Sequence, residues 1–218
     1  VNGDGTKRAY HEDGKLKGEW SYKAQALDGT VKEFFVNGNL KILFYYRNGS
    51  KEGLNKTFYE NGVLKFSENF RRGQLSGLTK VYEEQGYIQS ETEYKEGQKD
   101  GVEKIYYPNG ILNFENNFKN GQYDGVNKEF NESGTLISEV SFVQGNQGGI
   151  GKFYDTDGLM DCRFTFKEGL RNGPAECYYK NGKMRKQSSY VNDLLEGTIK
   201  LFAENGMIAK ELLFHEEE

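Results

Sequence analysis

The chain has 218 residues, a formal net charge of −4 and an even mixture of Lys and Glu, so it offers no basic block for a nucleic-acid backbone. Its 15 Phe and 15 Tyr supply more apolar area than a disordered chain carries, and 28 Gly against 2 Pro are typical of a protein rich in tight turns. Its apolar runs are far shorter than the roughly 20 residues that span a bilayer as a helix.

Glycine recurs every 24 residues along the whole chain. These turn glycines are Gly14, Gly38, Gly62, Gly86, Gly110, Gly134, Gly158, Gly182 and Gly206. An aromatic residue stands four positions before each one, a long aliphatic residue two positions after it, and a second aromatic residue eight positions after it. Such a period is typical of stacked supersecondary units rather than of a globular domain with a private core. We predict one repeat domain over residues 1–218, built from nine units.

Each unit is expected to form a β-hairpin. In the fifth unit two strands flank Asn109-Gly110, which is a strong hairpin signal. A three-residue loop with a glycine bulge, and Gly110 at positive φ, would place Tyr106 opposite Leu112. We prefer this loop to a two-residue loop because the pleat then places both residues and Phe118 on one face.

The connection between successive hairpins is expected to be a longer loop. In the fifth unit it runs from Gly121 to Gly125, and both glycines are suited to positive φ. Nine hairpins give about eighteen antiparallel strands. The predicted fold is therefore all-β, an elongated single-sheet antiparallel repeat solenoid.

Two charged positions also follow the repeat. The position six before the turn glycine is basic in eight units, at Arg8, Lys32, Lys56, Lys80, Lys104, Lys128, Lys152 and Lys200. The position five after it is often acidic, at Glu19, Glu91, Glu115, Glu139 and Glu211. A cationic stripe for an anionic ligand is one interpretation. We favour the other, in which Lys stems cover neighbouring aromatics and nearby carboxylates balance the charge.

Aromatic residues outside the periodic positions are the best candidates for a contact surface, because the repeat does not account for them. We predict partner contacts at Trp20, Phe35, Phe44, Tyr45, Tyr59, Tyr107 and Tyr123. The exposed face opposite the periodic aromatics is the expected working surface. Its N-terminal half, which holds the first four of these residues, is the favoured region.

The sequence contains no catalytic constellation, and we predict no catalytic, cofactor-binding or metal-binding residue. The sequence has no Walker loop, no Gly-x-Ser-x-Gly and no paired histidine and carboxylate at helical spacing. Cys162 and Cys177 lack a CxxC partner, and we favour free thiols over a disulfide because no other unit carries a cysteine. Both a cytoplasmic protein and an exported one with its signal peptide removed fit the sequence.

The unit Tyr-x-x-Asn-Gly-x-Leu, followed by Phe or Tyr and then by Asn-Gly-x-x-x-Gly, resembles the MORN repeat. It is most similar to the bacterial MORN variant with a 24-residue spacing, whose members are commonly described as antitoxin-like. The resemblance covers the whole chain. It implies a binding role and supplies no catalytic residue.

Two functional hypotheses follow. The first is a non-enzymatic protein-binding module, antitoxin-like or a scaffold, because extended repeat surfaces suit that use. The alternative is a module that binds cell-wall glycan or a membrane surface, since the segment from Tyr178 to Met184 resembles the aromatic hairpins of choline-binding repeats. Trp20 is the single tryptophan, so aromatic cages for a quaternary ammonium group would be sparse.

Overall fold

The computed structural model describes residues 3–214, and within that range it contains 21 β-strands and no helix. The strands belong to two compact units, one ending at Gly110 and the other beginning at Ile111. Within each unit, successive strands pair in antiparallel fashion. The all-β hairpin architecture expected from the sequence is confirmed, while the single domain over residues 1–218 stays a prediction.

The strands of the first unit are β1 Gly5–Tyr10, β2 Leu16–Lys23, β3 Ala26–Phe34, β4 Leu40–Arg47, β5 Ser50–Lys51, β6 Gly53–Phe58, β7 Leu64–Arg71, β8 Gln74–Leu75, β9 Gly77–Tyr82, β10 Ile88–Lys95 and β11 Gln98–Tyr106. Those of the second unit are β12 Leu112–Lys119, β13 Gln122–Tyr123, β14 Gly125–Phe130, β15 Leu136–Val143, β16 Asn146–Tyr154, β17 Met160–Lys167, β18 Leu170–Tyr178, β19 Met184–Val191, β20 Leu194–Phe202 and β21 Ile208–Phe214. Three hairpin strands are each split by a bulge, as β5/β6, β8/β9 and β13/β14, which accounts for 21 segments in place of about eighteen.

The turn at each turn glycine is the predicted bulged loop. In the first unit, His11 N donates to Lys15 O (2.8 Å) and Gly14 N donates to His11 O (3.0 Å), which encloses three loop residues. Gly14 has φ 81°, where a side chain would be strained, and Gly110 has φ 82°. Tyr10 lies opposite Leu16, as the bulged loop requires. The predicted turn type is confirmed.

The predicted common face for both periodic aromatics is wrong. Phe130 pairs with Leu136 but Glu129 pairs with Ser138, so one extra residue bulges out of β15. The bulge reverses the alternation of side chains. As a result, Phe142 lies on the opposite face of the sheet from Phe130.

The connection between hairpins is tighter than the sequence suggested. Asn48 and Gly49 have φ 48° and 78°, which makes a two-residue turn that places Arg47 opposite Ser50. Positive φ at both loop residues matches the right-handed twist of the flanking strands, and Asn-Gly favours it. The expected longer loop is therefore a tight turn followed by a bulge at Gly53, where φ is 67°.

The buried side chains lie on one face, which we call the core face. In both compact units they include residues that lie seven positions before a turn glycine. These are Val31, Asn55, Thr79, Glu103, Ala175 and Ile199. Because that position adjoins the basic one along the strand, the basic residues point to the opposite face, which we call the ionic face.

The two cysteines form a disulfide on the core face, so the prediction of free thiols is wrong. Cys162 in β17 and Cys177 in β18 lie directly opposite each other with their Cα atoms 4.0 Å apart. The register of this strand pair brings them together, whereas their separation of 15 residues in sequence does not reveal the pairing.

Candidate binding surface

The charged positions of each unit form one line of cross-strand neighbours on the ionic face, which we call the ionic row. In the first unit each member lies directly opposite the next, in the order Arg8, Glu19, Lys32, Leu43, Lys56, Ser67, Lys80, Glu91 and Lys104. Directly opposed side chains have their Cβ atoms about 5 Å apart, so opposite charges along this line are able to pair.

Where an acid is present, the row forms ion pairs. Lys80 Nζ lies 2.6 Å from Glu91 Oε1, and Tyr106 Oη donates to Glu91 Oε2 at 2.9 Å. The hydrogen bond from Lys80 lowers the pKa of Glu91, with burial opposing that effect and Tyr106 adding to it. The same bond raises the pKa of Lys80. The lysine charge is thus neutralised in place, as the favoured interpretation of the basic positions predicted.

The second unit repeats this arrangement. Its row contains Glu115, Lys128, Glu139, Lys152, Arg163, Glu176, Gln187, Lys200 and Glu211. Lys152 Nζ lies 3.1 Å from Glu139 Oε2, to which Tyr154 Oη also donates at 3.0 Å. Burial alone would raise the pKa of Glu139, but these two hydrogen bonds outweigh it and lower that pKa. Burial and the bond to Glu139 raise the pKa of Tyr154 to about 12.

One pair in the second unit is reversed in sign. Arg163 occupies an acidic position and Glu176 a basic one, and Arg163 Nη2 lies 2.6 Å from Glu176 Oε2. Hydrogen bonds from Tyr178 and from Arg163 lower the pKa of Glu176 against the effect of burial. Because both charges change together, the pairing of opposite charges is the property that the row preserves.

The first unit breaks this rule at two positions. Leu43 and Ser67 stand where an acid would flank Lys56 on either side, and Leu43 also flanks Lys32. The remaining acid beside Lys32 is Glu19, whose carboxylate lies 2.7 Å from Arg8 Nε. Among residues 3–214, neither Lys32 nor Lys56 takes part in an ion pair. The first unit therefore presents two uncompensated ammonium groups.

Apolar side chains lie beside these lysines on the same face. Tyr45 is two residues beyond Leu43 in β4, and Leu54 is two residues before Lys56 in β6, so all four side chains share the ionic face. Tyr45 is 41% exposed and Leu54 is 40% exposed. We call the surface formed by Lys32, Leu43, Tyr45, Leu54 and Lys56 the basic patch.

The predicted contact residues do not form one cluster. Tyr45 lies in the basic patch, whereas Phe35, Tyr59 and Tyr107 lie in or beside the hairpin turns. Tyr59 Oη donates to Tyr82 O at 2.9 Å, and the Lys41 ammonium lies 5.9 Å from the Phe35 ring centre. Tyr107 is half-buried, and its carbonyl oxygen accepts from Gly110 N.

The other three contact candidates lie on the core face. Trp20 covers Gly18, where an added Cβ would lie 2.5 Å from the indole ring. The Lys51 ammonium lies 4.0 Å from the ring centre of Phe44.

Tyr123, 36% exposed, is stacked between two periodic aromatics of the second unit. Its ring centre lies 4.6 Å from that of Phe118 and 5.1 Å from that of Phe142. For this residue, as for Trp20 and Phe44, the structure provides a packing role, and their contact with a partner stays a prediction.

Sequence reasoning did not single out Lys32, Lys56 or Leu54 as contact residues. The sequence did contain a signal for them. In the second and third 24-residue repeats the basic position is still occupied by lysine, while the acidic position is occupied by Leu43 and Ser67. The significance of that lapse depends on the strand register, which places those two residues beside the lysines.

Two further features concern metal ions and membranes. Over residues 3–214, no group of three or more His, Cys, Asp or Glu side chains is arranged to hold a metal ion. The same part of the chain contains no helix long and apolar enough to cross a membrane.

A family model described as MORN repeat variant matches six segments, which together cover more than half of the chain. They are residues 3–24, 27–48, 51–72, 99–120, 123–144 and 171–192. No curated protein matches the chain.

Two solved structures show weak similarity. "Crystal Structure of TcdB2-TccC3-TEV" shares 12% identity over 92% of this chain and 13% of its own, with a TM-score of 0.24. "Crystal Structure of TcdB2-TccC3-Cdc42" shares 11% identity over 90% of this chain and 13% of its own, with a TM-score of 0.17. This chain thus spans 13% of the length of each solved chain, and TM-scores this low support no conclusion about it.

Proposed function

Because the chain belongs to the MORN repeat variant family, we propose that it is a non-enzymatic module that binds another protein. Repeat arrays present extended surfaces on which successive units contribute side chains to one partner. The observation that carries the proposal is the basic patch, where two uncompensated lysines adjoin the exposed side chains of Tyr45 and Leu54. Apolar area beside unsatisfied charge is typical of a surface that is completed by a partner.

The test compares capture of proteins from the source organism by the wild-type chain and by a Tyr45→Ser/Leu54→Ser variant. Val126→Ser/Ile150→Ser is the matched control, because both residues are exposed on the ionic face of the second unit. We expect a captured protein whose affinity, measured with purified components, falls roughly tenfold or more in the patch variant and stays unchanged in the control. Equal loss in both variants would contradict the assignment of the surface.

Within this class we propose an antitoxin-like or scaffold role, which rests on the family resemblance. Co-expression with a toxic protein encoded beside this chain should restore growth if the role is antitoxin-like. The same experiment with the Tyr45→Ser/Leu54→Ser variant should fail to restore growth. If wild type does not restore growth although it binds the toxic protein, the scaffold role is favoured.

The second candidate function is binding of glycan, favoured by the exposed ring of Tyr123. A glycan array probed with wild type, Tyr107→Ala and Tyr123→Ala separates the two candidates. We expect no glycan signal. A signal that either alanine variant abolishes would replace protein binding by glycan binding as the proposed function.

A further inference from the structure

The ionic row of the first unit contains five basic and two acidic side chains, whereas that of the second unit contains four of each. The excess arises at Leu43 and Ser67, where carboxylates are missing between lysines that remain in place. We infer that the basic patch binds an acidic segment of a polypeptide, whose carboxylates take the positions that glutamate side chains occupy in the rest of the row. This inference rests on the proposed function and names the chemistry of the partner.

The spacing of the lysines defines the segment. Lys32 and Lys56 lie in β3 and β6 with only β4 between them, so their Cα atoms are about 10 Å apart at about 4.8 Å per strand. On an extended peptide, side chains on one face recur about every 7 Å, and lysine stems are long enough to reach carboxylates two or four residues apart. An acidic segment with two carboxylates at that spacing would neutralise both lysines.

The apolar part of the patch requires an apolar side chain beside those carboxylates. Tyr45 and Leu54 extend the patch along the strands from the line of the two lysines. A segment whose carboxylates meet Lys32 and Lys56 would place a neighbouring aromatic or aliphatic side chain against Tyr45 and Leu54. The preferred partner is therefore a segment in which acidic and apolar residues are interspersed, not a uniform run of acidic residues.

The observations favour a polypeptide over a lipid surface or a nucleic acid. The patch contributes two free ammonium groups, and the carboxylates of Glu19 and Glu91 lie in the same row. A phosphate backbone or an anionic membrane binds in proportion to the number of cations that face it. Glu19 and Glu91 already neutralise Arg8 and Lys80, so the two lysines of the patch suit two carboxylates better than a surface of many phosphates.

The test selects short random peptides on immobilised wild-type protein and measures the winners by titration. The key variant is Leu43→Glu/Ser67→Glu, which supplies the missing carboxylates from the chain itself. Gln187→Glu is the matched control, because it adds a carboxylate at the equivalent position of the second unit. Lys32→Gln/Lys56→Gln should also weaken peptide binding, and it does so by removing the two positive charges without adding a carboxylate.

We expect selected peptides to carry two or more Asp or Glu beside an aromatic or aliphatic residue. Their Kd should rise tenfold or more in Leu43→Glu/Ser67→Glu and in Lys32→Gln/Lys56→Gln, and should stay within about twofold in Gln187→Glu. Raising NaCl from about 50 to about 300 mM should weaken binding, because the lysines are partly exposed. Peptides without acid, or peptides that bind all variants equally, would overturn the inference.

Vesicles containing phosphatidylserine provide a further arm. Sedimentation of wild type that is lost in Leu43→Glu/Ser67→Glu, without any acidic peptide selected, would assign the patch to a membrane and overturn the inference. Failure of the proposed function looks different. A captured protein that still binds Leu43→Glu/Ser67→Glu and Lys32→Gln/Lys56→Gln leaves protein binding intact and removes only the acidic segment, whereas a glycan signal removes protein binding itself.

Discussion

The ionic rows of the two units differ in how completely their basic side chains are paired with carboxylates. In the second unit each of the four basic side chains of the ionic row forms an ion pair with a carboxylate of the same row, and in the pair of Arg163 and Glu176 both signs are reversed. In the first unit the row lapses at Leu43 and Ser67, and within residues 3–214 it leaves Lys32 and Lys56 without an ion-pair partner. An exposed ion pair contributes only about 0.2–1 kcal/mol, so a repeat tolerates the loss of two such pairs. The missing carboxylates at Leu43 and Ser67 therefore cost the fold little stability.

The largest expected effect concerns the disulfide, which is a feature of the second unit. Reduction of Cys162–Cys177 should lower the free energy of unfolding by about 3 kcal/mol, because the bond closes a loop with a sequence separation of 15 residues. Denaturant unfolding with and without reductant measures it. A Cys162→Ala/Cys177→Ala variant should not respond to reductant. An unchanged wild-type midpoint would show that the bond does not stabilise the fold.

The next effect concerns the asparagine beneath the basic patch. Asn55 is fully buried; its Oδ1 accepts from Tyr45 N (2.9 Å), and its Nδ2 donates to Gly53 O (3.0 Å) and Glu52 O (3.3 Å). Asn55→Ala leaves these backbone groups unsatisfied at a bulge and should cost about 2 kcal/mol.

Asn127 is the matched control for Asn55, since it occupies the same repeat position in the second unit. Its Oδ1 accepts from Asn117 N at 2.7 Å, and among the described residues this is the single hydrogen bond of the Asn127 side chain. Asn127→Ala should therefore cost about 1 kcal/mol. Thermal unfolding of both variants measures the difference, and equal losses would contradict the special role of the position beneath the patch.

The reversed pair tests whether alternation of charge matters in the second unit. Glu176→Lys places three consecutive cations in the row and should cost about 1 kcal/mol. Adding Arg163→Glu in the same chain places a carboxylate between Lys152 and the introduced lysine and should recover most of the loss. A double-mutant cycle by denaturant unfolding measures the coupling. Additive losses would mean that the row does not act as a line of pairs.

Acid should weaken the paired rows. The pKa of Glu139 is lowered in the fold, so its contribution is fully present above the pKa of the unfolded chain and is lost as pH falls through the lower folded value. Glu139→Gln should therefore cost about 0.5 kcal/mol near pH 7, and this cost should disappear as pH falls through the lowered folded pKa of Glu139. Unfolding across that pH range measures it, with the exposed turn residue Glu204→Gln as the control. A loss that does not depend on pH would point to packing in place of charge.

The smallest effect comes from filling a gap. Ser67→Glu supplies Lys56 and Lys80 with a carboxylate and should raise the free energy of unfolding by no more than about 0.5 kcal/mol. Gln187→Glu in the second unit should gain less, because its carboxylate lies between Lys200 and the acidic Glu176. A gain in the free energy of unfolding well above 1 kcal/mol would contradict the view that the missing carboxylates cost the first unit little stability.

The sequence alone predicted much of the local structure. Turn glycines every 24 residues, preceded mostly by Asn, Asp or Ser, indicated the hairpins, the bulged turn and positive φ at Gly110, because these depend on residues close together in the chain. The same periodicity supported the repeat family and the neutralised basic positions.

The tertiary structure decided what depends on register between strands. One bulged residue near Leu136 reverses the side-chain alternation, so Phe142 and Phe130 lie on opposite faces although the sequence pattern placed them together. The pairing of β17 with β18 joins Cys162 to Cys177, and the pairing of β4 with β6 places Lys56 beside Leu43. Hairpin turns are encoded by local backbone preferences, whereas a shift of one residue between strands changes every cross-strand neighbour, and bulges set that shift.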